Sequence, residues 1–484
     1  MNLSSIKKIF HSPISQYVGI RYTTYGIHLI NSILIAKYLG VYYFGIYSFL
    51  LLVNQYLIFA AMAPAYSLNA ILSAKKNNTY IAGELWGNSL LISLLISILT
   101  SVTIVIILIC FPDLFSKYQF AELSYYLLII FILVSINNLF INLYRTYGLL
   151  TKININQFLI PFSQFVLLFF AREKELLFFL LYGTIIANFL SLILFIYKSP
   201  LKIELRFTKI FFSELLLRGF HLLLYNVSYY LILLSSRTVV SIFYSVEQLG
   251  YYTLAVNFSN ALFMIVGSFS FVLFPKLLNK FHKNNEEESR TLLYNIRSVY
   301  ITGCFLLTYF GYFMIPFLIY LLPQYRDAVP PMKILLLTQL IVNNNFGYSI
   351  LLIAKKRERL MTKYALYAVV IIISLSIFFT YLNFNFTTIA IAVLIGFLYY
   401  CIHVARIAFF EIKMNASMNN VIRLLFPLYN LIPMLIIILS IIINDNFYTP
   451  AFSLIVFSIL NKKRIINAIK ETYHLITNQN SLIF

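Results

Sequence analysis

Leu114-Phe-Ser-Lys-Tyr-Gln-Phe-Ala121 returns later in the chain as Leu321-Leu-Pro-Gln-Tyr-Arg-Asp-Ala328. Two further echoes flank it. Gly45-Ile46-Tyr47-Ser48 before Asn54 is answered by Gly250-Tyr251-Tyr252-Thr253 before Asn257. Asn137-Asn138, followed by Gly148 and Lys152, is answered by Asn343-Asn344, followed by Lys355-Lys356. The pattern therefore repeats after about 206 positions, and each copy sits in a unit of six apolar spans. An even number of spans gives both copies the same orientation, so they can face each other about an axis along the membrane normal, with a substrate site between them. That is the architecture of a transporter.

The 484 residues are 61% hydrophobic and 11% charged, with a mean hydropathy of +0.86. This composition excludes a soluble domain. Its apolar runs reach the roughly 20 residues needed to cross a bilayer. Fourteen spans are expected, at 14–37, 42–72, 86–111, 123–147, 155–171, 176–197, 219–243, 249–277, 295–322, 333–354, 362–382, 387–407, 424–443 and 447–460. The expected fold is all-α integral membrane, with two pseudo-symmetric six-helix lobes around a central cavity. The lobes cover 1–197 and 219–410, a cytoplasmic interfacial linker helix covers 198–218, and two extra helices with a cytoplasmic tail cover 411–484.

With an inside amino terminus, all but seven of the 36 Lys and Arg fall on the cytoplasmic side, the exceptions being Lys37, Lys117, Arg172, Lys174, Arg237, Arg326 and Lys333. This is a strong positive-inside bias. The net charge of +20 then faces anionic headgroups and the cytosol. No basic block leaves the membrane as a domain, which argues against nucleic acid as a partner. Lys7 and Lys8 precede a span too long for a signal-peptide core and without a small-residue cleavage site, so it reads as a retained anchor. Cys110, Cys304 and Cys401 lack the spacing of a metal site or redox pair and read as packing residues. In the linker, Lys202, Arg206 and Lys209 share one helical face and Ile203, Phe207 and Ile210 the adjoining one, which suits a helix lying in the interface. Glu286-Glu287-Glu288 reads as a solvated run.

Ionisable side chains inside a bilayer are costly and normally face a wet cavity or a partner. The sixteen acidic residues all fall in loops or at span ends, whereas Arg21, His28 and Arg237 lie within spans and Arg145, Arg297 and Arg406 near inner ends. A cavity lined by these groups is electropositive. Arg21, Tyr25, His28 and Ser32 fall on one face of the first span, and Asn226, Tyr230 and Arg237 repeat the spacing on the seventh. The alternative for Arg21 and Arg237 is snorkelling to the nearer interface. Tyr47, Asn54 and Gln55 on the second span are matched by Asn257, Asn260 and Ser268 on the eighth. The fourth span carries Asn138, Asn142 and Arg145, and the tenth Gln339 and Asn343. Most such amides join helices, each contributing about 0.6 to 2 kcal/mol. Their recurrence on repeat-related spans favours a shared lumen. Pro64, Pro161, Pro275, Pro316, Pro427 and Pro433 mark bends.

Ala36-Lys-Tyr-Leu-Gly-Val-Tyr-Tyr-Phe-Gly-Ile-Tyr-Ser48, its echo Tyr244-Ser-Val-Glu-Gln-Leu-Gly-Tyr-Tyr-Thr253, and Phe274-Pro275-Lys276 closing the eighth span resemble Wzx-type polysaccharide flippases of the multidrug/oligosaccharidyl-lipid/polysaccharide (MOP) exporter superfamily. The resemblance covers nearly the whole chain in span layout. Where such proteins read a small residue then a basic one at the end of the second span, this chain reads Ala65-Tyr66-Ser67-Leu68-Asn69, with Lys75 only later.

The resemblance implies export of an undecaprenyl-pyrophosphate-linked oligosaccharide repeat unit, for O-antigen, lipopolysaccharide or capsule, from the inner to the outer leaflet of the bacterial cytoplasmic membrane. It implies a multi-pass chain with both termini cytoplasmic, acting as a monomer beside a polysaccharide polymerase and a chain-length regulator, with membrane lipids as surroundings. No cofactor or metal is implied and no enzymatic activity is expected. Pyrophosphate is anionic and Arg binds it by paired hydrogen bonds. Arg21, Tyr25, His28, Asn54, Asn142, Arg237 and Asn257 are the expected cavity residues, Arg145 and Arg297 the inner-side cations, and His28 and His403 the expected protonation sites. Three alternatives remain. A drug or cation antiporter of the same superfamily is expected to hold carboxylates in its cavity, a lipid II flippase differs in substrate, and a membrane-embedded polymerase or glycosyltransferase needs long or acidic loops.

Overall fold

Buried in lipid, a chain must satisfy its backbone polar groups within its own segments, so spanning structure is helical or a closed barrel. The computed structural model describes residues 13–75, 78–202, 207–443, 448–467 and 470. Those residues form helices and two 3₁₀ turns. The helices are α1 (Pro13–Ala61), α2 (Ala63–Lys75), α3 (Thr79–Cys110), α4 (Phe120–Thr146), α5 (Leu150–Leu167), α6 (Glu173–Tyr197), α7 (Lys209–Phe243) and α8 (Val246–Lys283). They continue with α9 (Glu286–Leu321), α10 (Val329–Asn344), α11 (Tyr348–Ala354), α12 (Glu358–Tyr381), α13 (Thr387–Glu411), α14 (Met418–Leu425), α15 (Leu428–Ile443) and α16 (Tyr448–Leu460).

Each of the fourteen expected spans coincides with a helix or a broken pair of helices. The 49 residues of α1 are too many for one crossing. Gly40 divides them: its φ of 70° and ψ of 171° are non-helical, a conformation open to glycine because it has no Cβ. α10 and α11 share one expected span, interrupted at Asn345–Gly347, and α14 meets the segment Asn430–Leu439 of α15 at 79°. Among the described residues, eight helices are long and apolar enough to cross a membrane, or up to nine if that bent pair is one span. α7 and α8 are not among them. These two carry Asn226, Arg237, Asn257 and Asn260.

The chain divides into two compact units, residues 1–227 with 245–250, and 228–244 with 251–484. In the first, α1 packs on α4, α5 and α6, and α2 on α3 and α4. Its core includes Leu68, Leu72, Leu139 and Leu143 around fully buried Trp86, whose ring meets Phe140 edge-on at 4.8 Å. Phe140 stacks on Phe195 at 5.6 Å, and the Tyr144 hydroxyl donates to Phe195 O at 2.9 Å. The short segment Ser245–Gly250 lies against α1 so closely that a Cβ on Gly45 would sit 2.1 Å from Val246 O, and one on Gly250 2.8 Å from Val41 O. Small residues permit such backbone approach.

In the second unit α13 packs on α10 and α12, and α9 on α10 and α16. Phe457 of α16 is fully buried against Phe305 and Tyr309, at 6.0 and 4.7 Å. Helices already in lipid gain little from hydrophobicity on meeting, so these contacts act through close packing. The opening sequence echo also has a structural counterpart in each unit. Ser116–Tyr118 and Pro323–Ala328 are both 3₁₀ turns, and Tyr118 and Tyr325 are both fully buried. Tyr118 stacks on Phe49 at 4.0 Å, and Tyr325 meets Tyr251 edge-on at 5.9 Å. Burial and the Glu247 carboxylate push the Tyr118 phenol above its usual range.

The linker is described in part. Residues 198–202, which include Pro200, and 207–208 are non-helical, and α7 runs unbroken from Lys209 to Phe243. Thr208 N donates to Asn88 Oδ1 at 3.0 Å, anchoring this start to α3. Ile203 and Arg206 lie outside the described residues, as do Lys7 and Lys8.

Candidate functional site

In the first unit, Arg21 and Tyr25 belong to α1, and their side chains are outside the described residues. His28 on the same helix is exposed and Ser32 half-buried. Asn31 is instead committed to packing: it is 2% exposed and its Nδ2 donates to Pro161 O at 2.6 Å. Asn54 is half-buried, and its Oδ1 has no hydrogen-bond partner among the described residues. Gln164 Nε2 donates to Tyr47 OH at 3.3 Å, and Asn137 Nδ2 to Asn188 O at 3.0 Å. These are bonds between helices, the ordinary work of amides in membranes.

One polar constellation forms where α2 and α4 meet. Arg145 Nη2 donates to Asn142 Oδ1 at 2.8 Å, and Asn142 Nδ2 to Asn138 O at 2.9 Å. Thr146 Oγ1 bonds Asn142 O at 2.9 Å and Asn69 Oδ1 at 3.2 Å. Asn142 is buried and Arg145 exposed, so the pair presents a guanidinium oriented by an amide beneath it. The 3-residue spacing made this pairing readable in advance. Lys75, near the end of α2, faces Glu214 Oε2 at 3.7 Å. Glu84, one of the residues assigned to a span end, lies inside α3 and is only 9% exposed, with Tyr80 OH 3.3 Å from its Oε1.

In the second unit Arg237 is half-buried on α7, near fully buried Tyr252, and Asn257 is half-buried on α8. A hydrogen-bonded chain crosses α8, α9 and α10. Ser270 Oγ meets Tyr300 OH at 2.9 Å, and Tyr300 OH donates to Asn343 Oδ1 at 3.2 Å. Asn343 Nδ2 bonds Gln339 O at 2.9 Å, and Gln339 Nε2 donates to Asn260 Oδ1. His403 is held between Tyr364 and Tyr399, with ring centroids 4.7 and 4.2 Å away and its Nδ1 2.9 Å from Tyr399 O.

Arg297 has a setting unlike the open inner-side cation expected of it. It is 6% exposed. Its Nη1 donates to Asn344 O and, at 3.1 Å, to Phe346 O, while Nη2 reaches Asn344 Oδ1 at 2.7 Å. The guanidinium also lies 3.7 Å from the Tyr348 ring centre. It thereby satisfies carbonyls left over where α10 ends. Nothing in local spacing reveals this role, because the acceptors lie 47 and 49 residues away.

A family of polysaccharide biosynthesis proteins matches residues 14–281. Among curated proteins none matches the chain in sequence. The fold is similar to that of an inward-closed lipid II flippase MurJ, with a TM-score of 0.70 at 15% identity over 95% of this chain and 99% of that one. It is also similar to an inward-facing MATE-family multidrug resistance transporter of the MOP superfamily, with a TM-score of 0.67 at 15% identity over 81% of this chain and 94% of that one. A MOP superfamily transporter from Pyrococcus furiosus, described as having a binding pocket of reverse polarity, gives 0.60 at 13% identity over 85% and 99%. These are transporters and a flippase, not enzymes. The sequence match spans more than half of the 484 residues, and the chain therefore belongs to the polysaccharide biosynthesis protein family, on the membrane-transporter fold of the MOP superfamily.

Proposed function

We propose that this protein is a Wzx-type flippase carrying an undecaprenyl-pyrophosphate-linked oligosaccharide repeat unit from the inner to the outer leaflet of the bacterial cytoplasmic membrane, for O-antigen or capsule assembly. The observation that carries the reading is the sign of the charge in a polysaccharide-family chain: Arg21 and Arg237 fall within the spans expected from sequence, and the acidic residues fall in loops or toward helix ends. A pyrophosphate needs cations and an exported drug cation needs carboxylates. In this proposal Arg21 and Arg237 contact the diphosphate, Tyr25, Asn54, Asn142 and Asn257 the sugars, and Arg145 attracts the headgroup from the cytoplasmic side. The polyprenyl tail stays in lipid while the headgroup crosses by alternating access.

The test is translocation of a fluorescent polyprenyl-pyrophosphate oligosaccharide in vesicles holding the purified protein, beside the Arg21→Ala/Arg237→Ala double variant. Transport by the wild type and its loss in a folded double variant is the expected result. Undiminished transport by that variant overturns the cation assignment. The structural likeness to MurJ over 95% of the chain favours one second reading, lipid II as the cargo. Presenting lipid II in the same vesicles separates the two.

A further inference from the structure

The second unit contains a cavity of about 260 Å³ outside the residues of the proposed transport path. Four arginines line it: Arg290, Arg297, Arg423 and Arg464. Among the described residues no carboxylate does. Two nearby acids are engaged elsewhere, Glu286 with Lys413 at 2.9 Å and Glu411 with Arg357 at 2.7 Å. Two of the arginines are fixed in place. Arg297 is bound as described above, and Arg290 donates from Nε to Ile412 O at 2.7 Å and from Nη2 to Lys413 O at 2.6 Å. Among the described residues no carboxylate pairs with the guanidinium groups of Arg290 and Arg297, which are held by backbone carbonyls. The cavity is therefore a preorganised site for an anion.

A second observation points to what the anion carries. Asn430 also lines the cavity, is 3% exposed, and its Oδ1 has no hydrogen-bond partner among the described residues. A buried acceptor left unmade is costly, so a ligand that brings a hydroxyl beside its negative charge satisfies both demands. The rim indicates where such a ligand comes from. α14 buries Val421 and Leu425 while leaving Met418, Ile422 and Leu424 exposed beside Arg423, the pattern of a helix lying in a membrane interface. The chain then turns by 79° into the Asn430–Leu439 segment of α15. Leu293, Ile301 and Pro427 supply apolar wall, and the positive-inside rule sets this end against the leaflet richest in anionic lipid.

We propose that this cavity holds the phosphate and hydroxylated headgroup of an anionic phospholipid drawn from the cytoplasmic leaflet. The volume suits a phosphate with a few attached atoms, which matches a lipid headgroup held as a resident rather than as the cargo. This gives α14, α15 and the segment holding Arg464 a role: they complete a lipid-binding site that α9 alone leaves open.

The experiment is native mass spectrometry and thermal denaturation of the detergent-purified full chain, titrated with short-chain phosphatidylglycerol, short-chain phosphatidylcholine or inorganic phosphate. Phosphatidylglycerol is expected to bind and to raise the melting temperature, phosphatidylcholine to do so far more weakly, and phosphate alone not to reproduce the effect. Arg423→Ala, which removes an exposed side chain, should weaken phosphatidylglycerol about fivefold, the effect of one basic residue at a membrane surface. Arg423→Lys should restore it. Equal binding of the two lipids, an equal response to phosphate alone, or unchanged affinity in folded Arg423→Ala would each overturn the proposal. None of these readouts depends on transport, so failure here leaves the flippase reading untouched.

Discussion

Arg297 donates to both the main-chain and the side-chain oxygen of Asn344, and Asn344 in turn donates from Nδ2 to Leu425 O at 2.5 Å. One charged residue thus links the end of α10 to α9, and through Asn344 to α14. Hydrogen bonds to a charged group contribute about 1.5 to 3 kcal/mol each. Arg297→Lys keeps the charge and loses the planar fork, and it should lower the unfolding free energy by about 2 kcal/mol on that basis. Asn344→Leu should cost a similar amount, and the double variant little more than either single change, because the pair acts as one element. Thermal denaturation in detergent checks all three.

Gly45 and Gly250, repeat mates in sequence, sit where Cβ atoms would strike main-chain oxygens at 2.1 and 2.8 Å. A backbone neighbour cannot rotate away. Gly45→Ala and Gly250→Ala should each destabilise by about 1 to 3 kcal/mol, as overpacking does. Gly303→Ala is the control, since nothing lies within 4 Å of its Cβ, and it should be neutral or slightly stabilising. Melting temperatures of the three variants decide it.

The chain from Ser270 through Tyr300, Asn343 and Gln339 to Asn260 yields a prediction that separates glue from cargo contact. Tyr300→Phe and Gln339→Leu should each lose about 0.6 to 2 kcal/mol of stability. If these residues only join helices, transport will fall in proportion to folded protein. A transport loss at unchanged melting temperature would show that they touch the substrate.

Phe457 is the part of α16 seated between Phe305 and Tyr309. Phe457→Ala should cost about 3 to 5 kcal/mol, the range for truncating a buried aromatic. Limited proteolysis should then cut the chain between α14 and α16 sooner than in the wild type.

The helices were legible in composition because lipid leaves an apolar run few other choices, and the fourteen expected spans all fall on helix. The break between the first two spans followed from the same counting, and the structure puts it at Gly40. The Asn142 and Arg145 pair was readable from spacing along one helix. What resisted was anything settled by partners distant in sequence. The Asn344 and Phe346 carbonyls that hold Arg297, and the Tyr364 ring stacked on His403, are of this kind. Glu84 passed as a span-end residue because the helix begins at Thr79, seven residues before the apolar run that starts at 86. The linker looked amphipathic on a helical wheel; of its described residues, 198–202 and 207–208 are non-helical and those from Lys209 on are helical, with Thr208 N bonded to Asn88 Oδ1.

Trp86 is the only tryptophan in the chain and is fully buried in the first unit's core beside Phe140. The protein therefore carries a built-in optical reporter confined to one unit. Fluorescence excited where tyrosine no longer absorbs should be blue-shifted in the native state and should follow the packing of α2, α3, α4 and α6. Events in the second unit are dark to it, so a tryptophan introduced there would let the two be watched separately by colour and lifetime.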